Sequence, residues 1–340
     1  MNEIIQVKNL TKDYGSGRGV FDVSFSVKSG EVFGFLGPNG AGKSTTIRHL
    51  MGFSKPQCGQ TLIFGKPTFD KYNEILQHVG YIPGEIALPQ GLTGEEFLKM
   101  MQSLQGTKDD ERLKEMRDLF ELSDSDIKID SKHLSLGVKR KLAVVAAFMH
   151  DPEVLILDEP TSGLDPVMQE VFVEFIHKEK SRGKTILLSS HIFTEIDSTC
   201  DRIAIIKDGR IVSQFIAVDL KHASKKFYTV GFSTDKNLNE FVEKAKEINS
   251  FSFIEVKKGE AGENESEDDY KNGAAFGGAA LSGEKGKSKL YMSLDDGDIN
   301  MAVKLLSECG ATEFSSRRES LEDYFMKFYK EEKDFGGAFK

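Results

Sequence analysis

The chain has 340 residues, of which 39% are hydrophobic and 29% charged, and its formal net charge is −9. Such a length predicts about two domains with cores of useful size, and the acidic balance speaks against a general nucleic-acid footprint. Cys58, Cys200 and Cys309 stand far apart without CxxC or histidine spacing, which favours reduced thiols over disulfides or zinc. Residues 1–5 lack the regions of a signal peptide, and no clean apolar run approaches the ~20 residues that span a bilayer. A protein that stays inside the cell is expected.

In chain order, residues 3–30 alternate apolar and polar positions (Ile5, Val7, Leu10, then Val23, Phe25, Val27), the pattern of antiparallel strands with one wet face. A turn-rich segment, Lys12–Gly17, carries Tyr14. Glu31–Leu36 reads as a buried strand and Thr46–Met51 as a helix that stops at Gly52. Further strands follow at Thr61–Phe64 and His78–Ile82, a mixture that signals an α/β core. Residues 92–150 read mainly as helix. Val154–Leu157 suits a central parallel strand. Helix Pro166–Lys180, strand Thr185–Ser189, another helix and strand Arg202–Ile206 come next, and Asp208-Gly209 turns the chain into Arg210–Gln214.

After about residue 220 the pattern becomes that of a small α+β domain, with strands at Phe227–Phe232, Phe251–Val256 and Lys289–Leu294. Helices are expected at Asn237–Glu247 and Ile299–Cys309. Residues 258–288, rich in Gly, Glu, Asp, Ala and Ser, cannot bury enough apolar surface and read as a disordered insertion. The domains expected are therefore 1–220, with a helical part at about 86–150, and 221–335. Ser320–Phe325 opens like a capped amphipathic helix.

Chemistry concentrates first in Gly37-Pro38-Asn39-Gly40-Ala41-Gly42-Lys43-Ser44-Thr45, set between a strand and a helix. These are the parts of a phosphate-binding loop: glycines let backbone N–H groups curl inward, and the helix N-terminus adds positive potential. Lys43 would reach the terminal phosphates and the Ser44 hydroxyl would ligate Mg²⁺. A nucleoside triphosphate is the expected ligand. Asp158 and Glu159 end the apolar strand at the edge where α/β sheets bind ligands. Asp158 would hold Mg²⁺ and Glu159 would orient the attacking water. Leu134–Arg140, with Ser135 and Gly137 at a helix start, reads on its own as a capped structural helix.

Together these pieces resemble the nucleotide-binding subunits of ABC transporters over roughly residues 3–220. Gly37–Thr45 matches Walker A. Leu134–Val138 matches the LSGGQ signature, with Leu136 and Val138 in place of Gly and Gln. Asp158 and Glu159 match Walker B and its catalytic glutamate, Ser162–Asp165 the D-loop, and His191 the switch histidine. The resemblance implies the fold of a P-loop NTPase cassette, a mixed α/β core with antiparallel and helical subdomains. It implies ATP with Mg²⁺ sandwiched head to tail between two cassettes, identical or different. Ser135 and Gly137 would then reach the partner's γ-phosphate, Tyr14 would stack on adenine, and Asp165 and His191 would complete the site. A separate membrane permease is the implied partner, export the implied direction, and the inner membrane face the implied location, with no role for nucleic acid. Two other readings stay open here: an ABC ATPase acting on nucleic acid or the ribosome, and a module that holds ATP without hydrolysis.

One departure stands out. The family's Gln after the Tyr-x-Pro strand is replaced in Tyr81-Ile82-Pro83-Gly84-Glu85, so Glu85 or solvent is left to take its place. His49, His78, His133, His150, His177 and His222 show no metal-ligand spacing and read as surface or packing residues.

Overall fold

Alternation between buried and wet positions builds the first sheet. Ile5, Val7 and Leu10 are buried in β1 (Glu3–Asp13), as are Val23, Phe25 and Val27 in β2 (Gly19–Lys28). The two strands pair antiparallel, with Val7 opposite Phe25. β3 (Val32–Leu36), buried at every position, runs into the glycine loop and α1 (Lys43–Leu50). β4 (Cys58–Ile63) pairs with β1, and β5 (Lys66–Pro67) closes that edge. α2 (Thr68–Ile75), not evident from the sequence pattern, leads towards β6 (Val79–Ile82).

The computed structural model describes residues 2–106, 109–223, 226–245, 252–257, 288–294, 296–318 and 320–330. The chain divides into two units, residues 1–217 and 218–340.

The helical stretch of the first unit comprises α3 (Gly94–Gln105), α4 (Asp110–Leu119), α5 (Asp124–Ile127) and α6 (Leu136–Phe148). Each begins where a short polar side chain satisfies a free N–H: Thr93 and Glu96 form a reciprocal capping box before α3, and Ser135 accepts from Val138 N before α6. Beyond it come β7 (Val154–Asp158), α7 (Pro166–Ser181), β8 (Thr185–Ser190), α8 (Phe193–Thr199), β9 (Arg202–Lys207) and β10 (Arg210–Ile216).

The second sheet has the order β10-β9-β3-β8-β7-β6. Its five strands from β9 to β6 are parallel, and β10 pairs antiparallel at the edge. The adjacent strands β3, β8 and β7 are buried throughout, as expected where both faces of a parallel sheet are covered. One core joins this sheet to the first: Val7, Val23 and Phe25 cluster with Phe33, Phe35 and Ile156, and Ile47 and Leu50 of α1 pack among them. Phe25 and Phe33 stack with ring centroids 5.1 Å apart. Burying each such side chain contributes roughly 1.5–3 kcal/mol. That core holds the start of α1 in place.

The second unit contains α9 (Ala217–Ala223, which begins at its boundary), β11 (Lys226–Phe232), α10 (Asp235–Ala245), β12 (Ser252–Lys257), β13 (Ser288–Leu294), α11 (Ile299–Glu308), β14 (Ala311–Arg318) and α12 (Leu321–Lys330). The antiparallel order β12-β13-β11-β14 with α10 and α11 in the two crossovers is the ferredoxin-like split βαβ arrangement. Tyr228, Val230, Phe232, Leu290, Met292 and Leu294 supply the sheet side of its core, and Leu238, Phe241, Ala302 and Leu306 the helix side. Residues 258–287 of the expected insertion lie outside the described residues, as do 246, 247 and 251, while Ser288 already belongs to β13. α12 opens as expected: Ser320 Oγ accepts from Asp323 N at 3.1 Å, and Asp323 Oδ2 accepts from Ser320 N at 2.9 Å.

Candidate functional site

Parallel neighbours bring three strand ends to one edge. β3 ends at the glycine loop, β7 at Asp158, and β8 just before His191, with Leu36 in register with Ser190 and Asp158 with Ser189. This is the edge at which open α/β sheets bind ligands.

The loop from Gly37 to Gly42 curls around the side chain of Lys43. Gly42 caps α1 with φ +109, and a Cβ there would stand 2.7 Å from Val20 Cγ1, so both conformation and space require glycine. Lys43, 5% exposed, donates from Nζ to Gly37 O at 2.6 Å and Pro38 O at 3.2 Å. It also pairs with Glu159 Oε1 at 3.0 Å. Asn39, Gly40 and Ser44 are exposed, Pro38 and Thr45 are half-buried, and Ala41 is buried with the core.

Asp158 is buried, and the Ser189 hydroxyl donates to its Oδ1. Glu159 follows with φ +49, a left-handed backbone that costs a non-glycine residue roughly 1–3 kcal/mol and is typical of functional turns. The bend turns its carboxylate back between two loops: Oε1 faces Lys43, and Oε2 lies 2.6 Å from His191 Nδ1. Burial, with the charge of Asp158 adding to it, pushes the Tyr81 phenol up to about 12, so its hydroxyl is neutral beside these acids.

The other expected residues are placed separately. Tyr14 lies in the turn after β1, 58% exposed, with the Lys12 ammonium 5.8 Å from its ring centroid. Asp165 caps α7 by accepting from Met168 N at 3.0 Å. Ser135 caps α6, and a Cβ on Gly137 would lie 3.4 Å from Gly163 O of the D-loop. Leu136, in the signature's glycine position, is exposed and packs over Gly163. Glu85 is exposed. Gly84 lies beside Asp158, with a Cβ position 3.3 Å from Asp158 Oδ2.

Arg140 was passed over in the sequence. It is 2% exposed and donates from Nη1 to Pro83 O at 2.9 Å, from Nη2 to Gly84 O at 2.8 Å and from Nε to Ser162 O at 2.9 Å. One guanidinium therefore ties the signature helix to the segment after β6 and to the D-loop. Burial works against its charge, while Asp158 and Glu159 favour it. Arg140 stands between Lys139 and Lys141 in α6, so the sequence alone did not set it apart from its charged neighbours.

The donor set fits Mg²⁺ held jointly with phosphate. Among the described residues no group of three or more His, Cys, Asp and Glu could cage a metal. A hydroxyl, Ser44, and one carboxylate, Asp158, are what a magnesium site completed by phosphate oxygens and water needs.

The fold and site define a P-loop ATPase cassette. The family described as "ABC transporter" matches residues 20–162. The bacitracin transport ATP-binding protein BcrA of Bacillus licheniformis is 39% identical over 228 residues, covering 67% of this chain and 74% of BcrA. The Nod factor export ATP-binding protein I of Burkholderia orbicola is 37% identical over 212 residues, 62% of this chain and 70% of the relative. A solved ATP-binding subunit of an ABC transporter superposes with a TM-score of 0.60 at 32% identity, covering 65% of this chain and 92% of that one. The chain belongs to the ATP-binding subunits of ABC transporters.

Proposed function

We propose that this cassette hydrolyses ATP to drive a separate membrane permease in export. The observation that carries this reading is the meeting of Lys43, Glu159 and His191 at the ends of β3, β7 and β8. Export is supported by the names of the bacitracin and Nod factor relatives. Among the described residues no helix is long and apolar enough to cross a membrane. In this reading the permease is a separate chain and the cassette works at the cytoplasmic face.

In this reading the N–H groups of residues 39–45 and the Lys43 ammonium take the phosphates, and Tyr14 offers its exposed ring to adenine. Ser44 and Asp158 would hold Mg²⁺, which neutralises phosphate charge when bound. Glu159, released from Lys43, accepts a proton from the attacking water, and His191 holds that carboxylate and the γ-phosphate in one geometry. Ser135 and Gly137 serve ATP held by a second cassette, with Asp165 at the joint.

The test is ATP hydrolysis by the full chain with its permease in vesicles, with DNA, and with ribosomes. Stimulation by the permease is the expected result. Stimulation by DNA or ribosomes alone would overturn the transport reading, and absence of turnover in every case would overturn hydrolysis.

A further inference from the structure

Beneath Glu159 and His191 lies an acid that this scheme does not use. Glu195, in the first turn of α8, is 5% exposed, and both of its carboxyl oxygens are enclosed. The polar groups that bear on it are the hydroxyls of Ser190 and Thr161, both buried. The charged groups are Glu159 and His191, and the Cys200 thiol lies at the end of the same helix.

Those two hydroxyls belong to two different loops. Thr161 lies in the turn that follows Glu159, where Ser162 N donates to Glu159 O at 3.2 Å and Leu164 N to Thr161 O at 3.0 Å. Ser190 opens the turn that carries His191, and its Oγ accepts from Ile192 N at 2.9 Å, which leaves its own O–H free to donate. The platform for the acid is firm. Gly34 of β3 has no side chain where a Cβ would meet Cys200 Sγ at 2.9 Å and Ile196 Cγ2 at 3.0 Å, so α8 seats directly on the central strand. A buried acid needs donors, and Glu195 takes its hydroxyl donors, Thr161 and Ser190, from two different loops.

We propose that Glu195 is a positioning residue for ATP hydrolysis. When nucleotide draws Glu159 away from Lys43, the Glu195 carboxyl holds the Thr161 and Ser190 hydroxyls together and so keeps Glu159 and His191 fixed relative to each other. This rests on the reading that Glu159 and His191 act on ATP.

The experiment compares ATP turnover by the full chain with that of Glu195→Gln, Glu195→Leu and Thr161→Val. Glu195→Leu is expected to lower kcat about 10-fold or more with KM for ATP changed less than about 3-fold, the signature of lost geometry rather than lost binding. Glu195→Gln keeps a donor and an acceptor in the same shape and restores kcat to within about 3-fold of the wild type. Thr161→Val, which removes only a hydroxyl, lowers kcat in the same direction, and its combination with Glu195→Leu costs no more than Glu195→Leu alone. Unchanged kcat in both Glu195→Leu and Thr161→Val, a Glu195→Gln protein as slow as Glu195→Leu, or a loss confined to KM overturns the proposal. Should Glu195→Leu fail to fold, Thr161→Val and Glu195→Gln decide by the same criteria. An inactive wild-type chain would instead refute the underlying ATPase reading.

Discussion

The ammonium of Lys43 and the carboxylate of Glu159 form an ion pair at 3.0 Å across the ends of β3 and β7. Lys43 also donates to the Gly37 and Pro38 carbonyls, and Glu159 also meets His191. Under the proposed function, phosphate oxygens that displace Glu159 from Lys43 would free the carboxylate to meet water. Binding of nucleotide and arming of the base would then be one exchange of partners.

Lys43→Ala removes the one buried cation of the phosphate loop, whose charge-assisted bonds contribute about 1.5–3 kcal/mol each. Its Kd for ATP is expected to rise about 10-fold or more, read by titration with a fluorescent ATP analogue. Unchanged affinity would remove Lys43 from the phosphate site.

Much of this site was legible from spacing, because strand, glycine loop, lysine and helix are contiguous in the chain. The acids were equally visible, since Val154–Leu157 is a pure apolar run that delivers Asp158 and Glu159 to the sheet edge. The roles of Arg140 and Glu195 were not visible. Arg140 bonds to carbonyls at 83, 84 and 162, remote in sequence and without a side-chain signature, and Glu195 faces Thr161 of a separate loop. In the second unit β14 escaped notice because Thr312, Glu313 and Ser315–Arg317 are polar and exposed on an edge strand that alternates little.

Arg140→Leu leaves three carbonyls, those of the half-buried Pro83 and Gly84 and of Ser162, without this donor. The melting temperature of the first unit is expected to fall by about 6 °C or more, from a loss above about 3 kcal/mol at 2–4 °C per kcal/mol for a unit of this size. Calorimetry checks it; an unshifted transition would mean that the guanidinium contributes nothing to the joint.

Gly84→Gln adds an amide beside Asp158. The backbone at Gly84 is not left-handed, and its Cβ would meet Asp158 Oδ2 at 3.3 Å, a contact that a small shift relieves. The Mg²⁺ concentration that gives half-maximal ATPase should fall, because the amide supplies a further oxygen near the ion. An unaltered Mg²⁺ dependence would contradict this.

Burial holds the Glu195 carboxyl up to about 7, against an ordinary 4.5. A folded-state value above the unfolded one favours the fold fully below about pH 4.5, and that contribution is lost as pH rises through about 7. Glu195→Gln has no such loss, so its melting temperature relative to wild type should climb between pH 5 and pH 8. A constant difference across that range would show that Glu195 does not titrate there.

The most direct measurement is turnover by Glu159→Gln in the full chain with Mg²⁺ and ATP, followed by size-exclusion chromatography. Hydrolysis should fall about 100-fold or more, as when a general base is removed, while ATP stays bound and the chain elutes at twice its monomer mass. Near-normal turnover in this variant would contradict the assignment of Glu159 and, with it, the exchange of partners at Lys43.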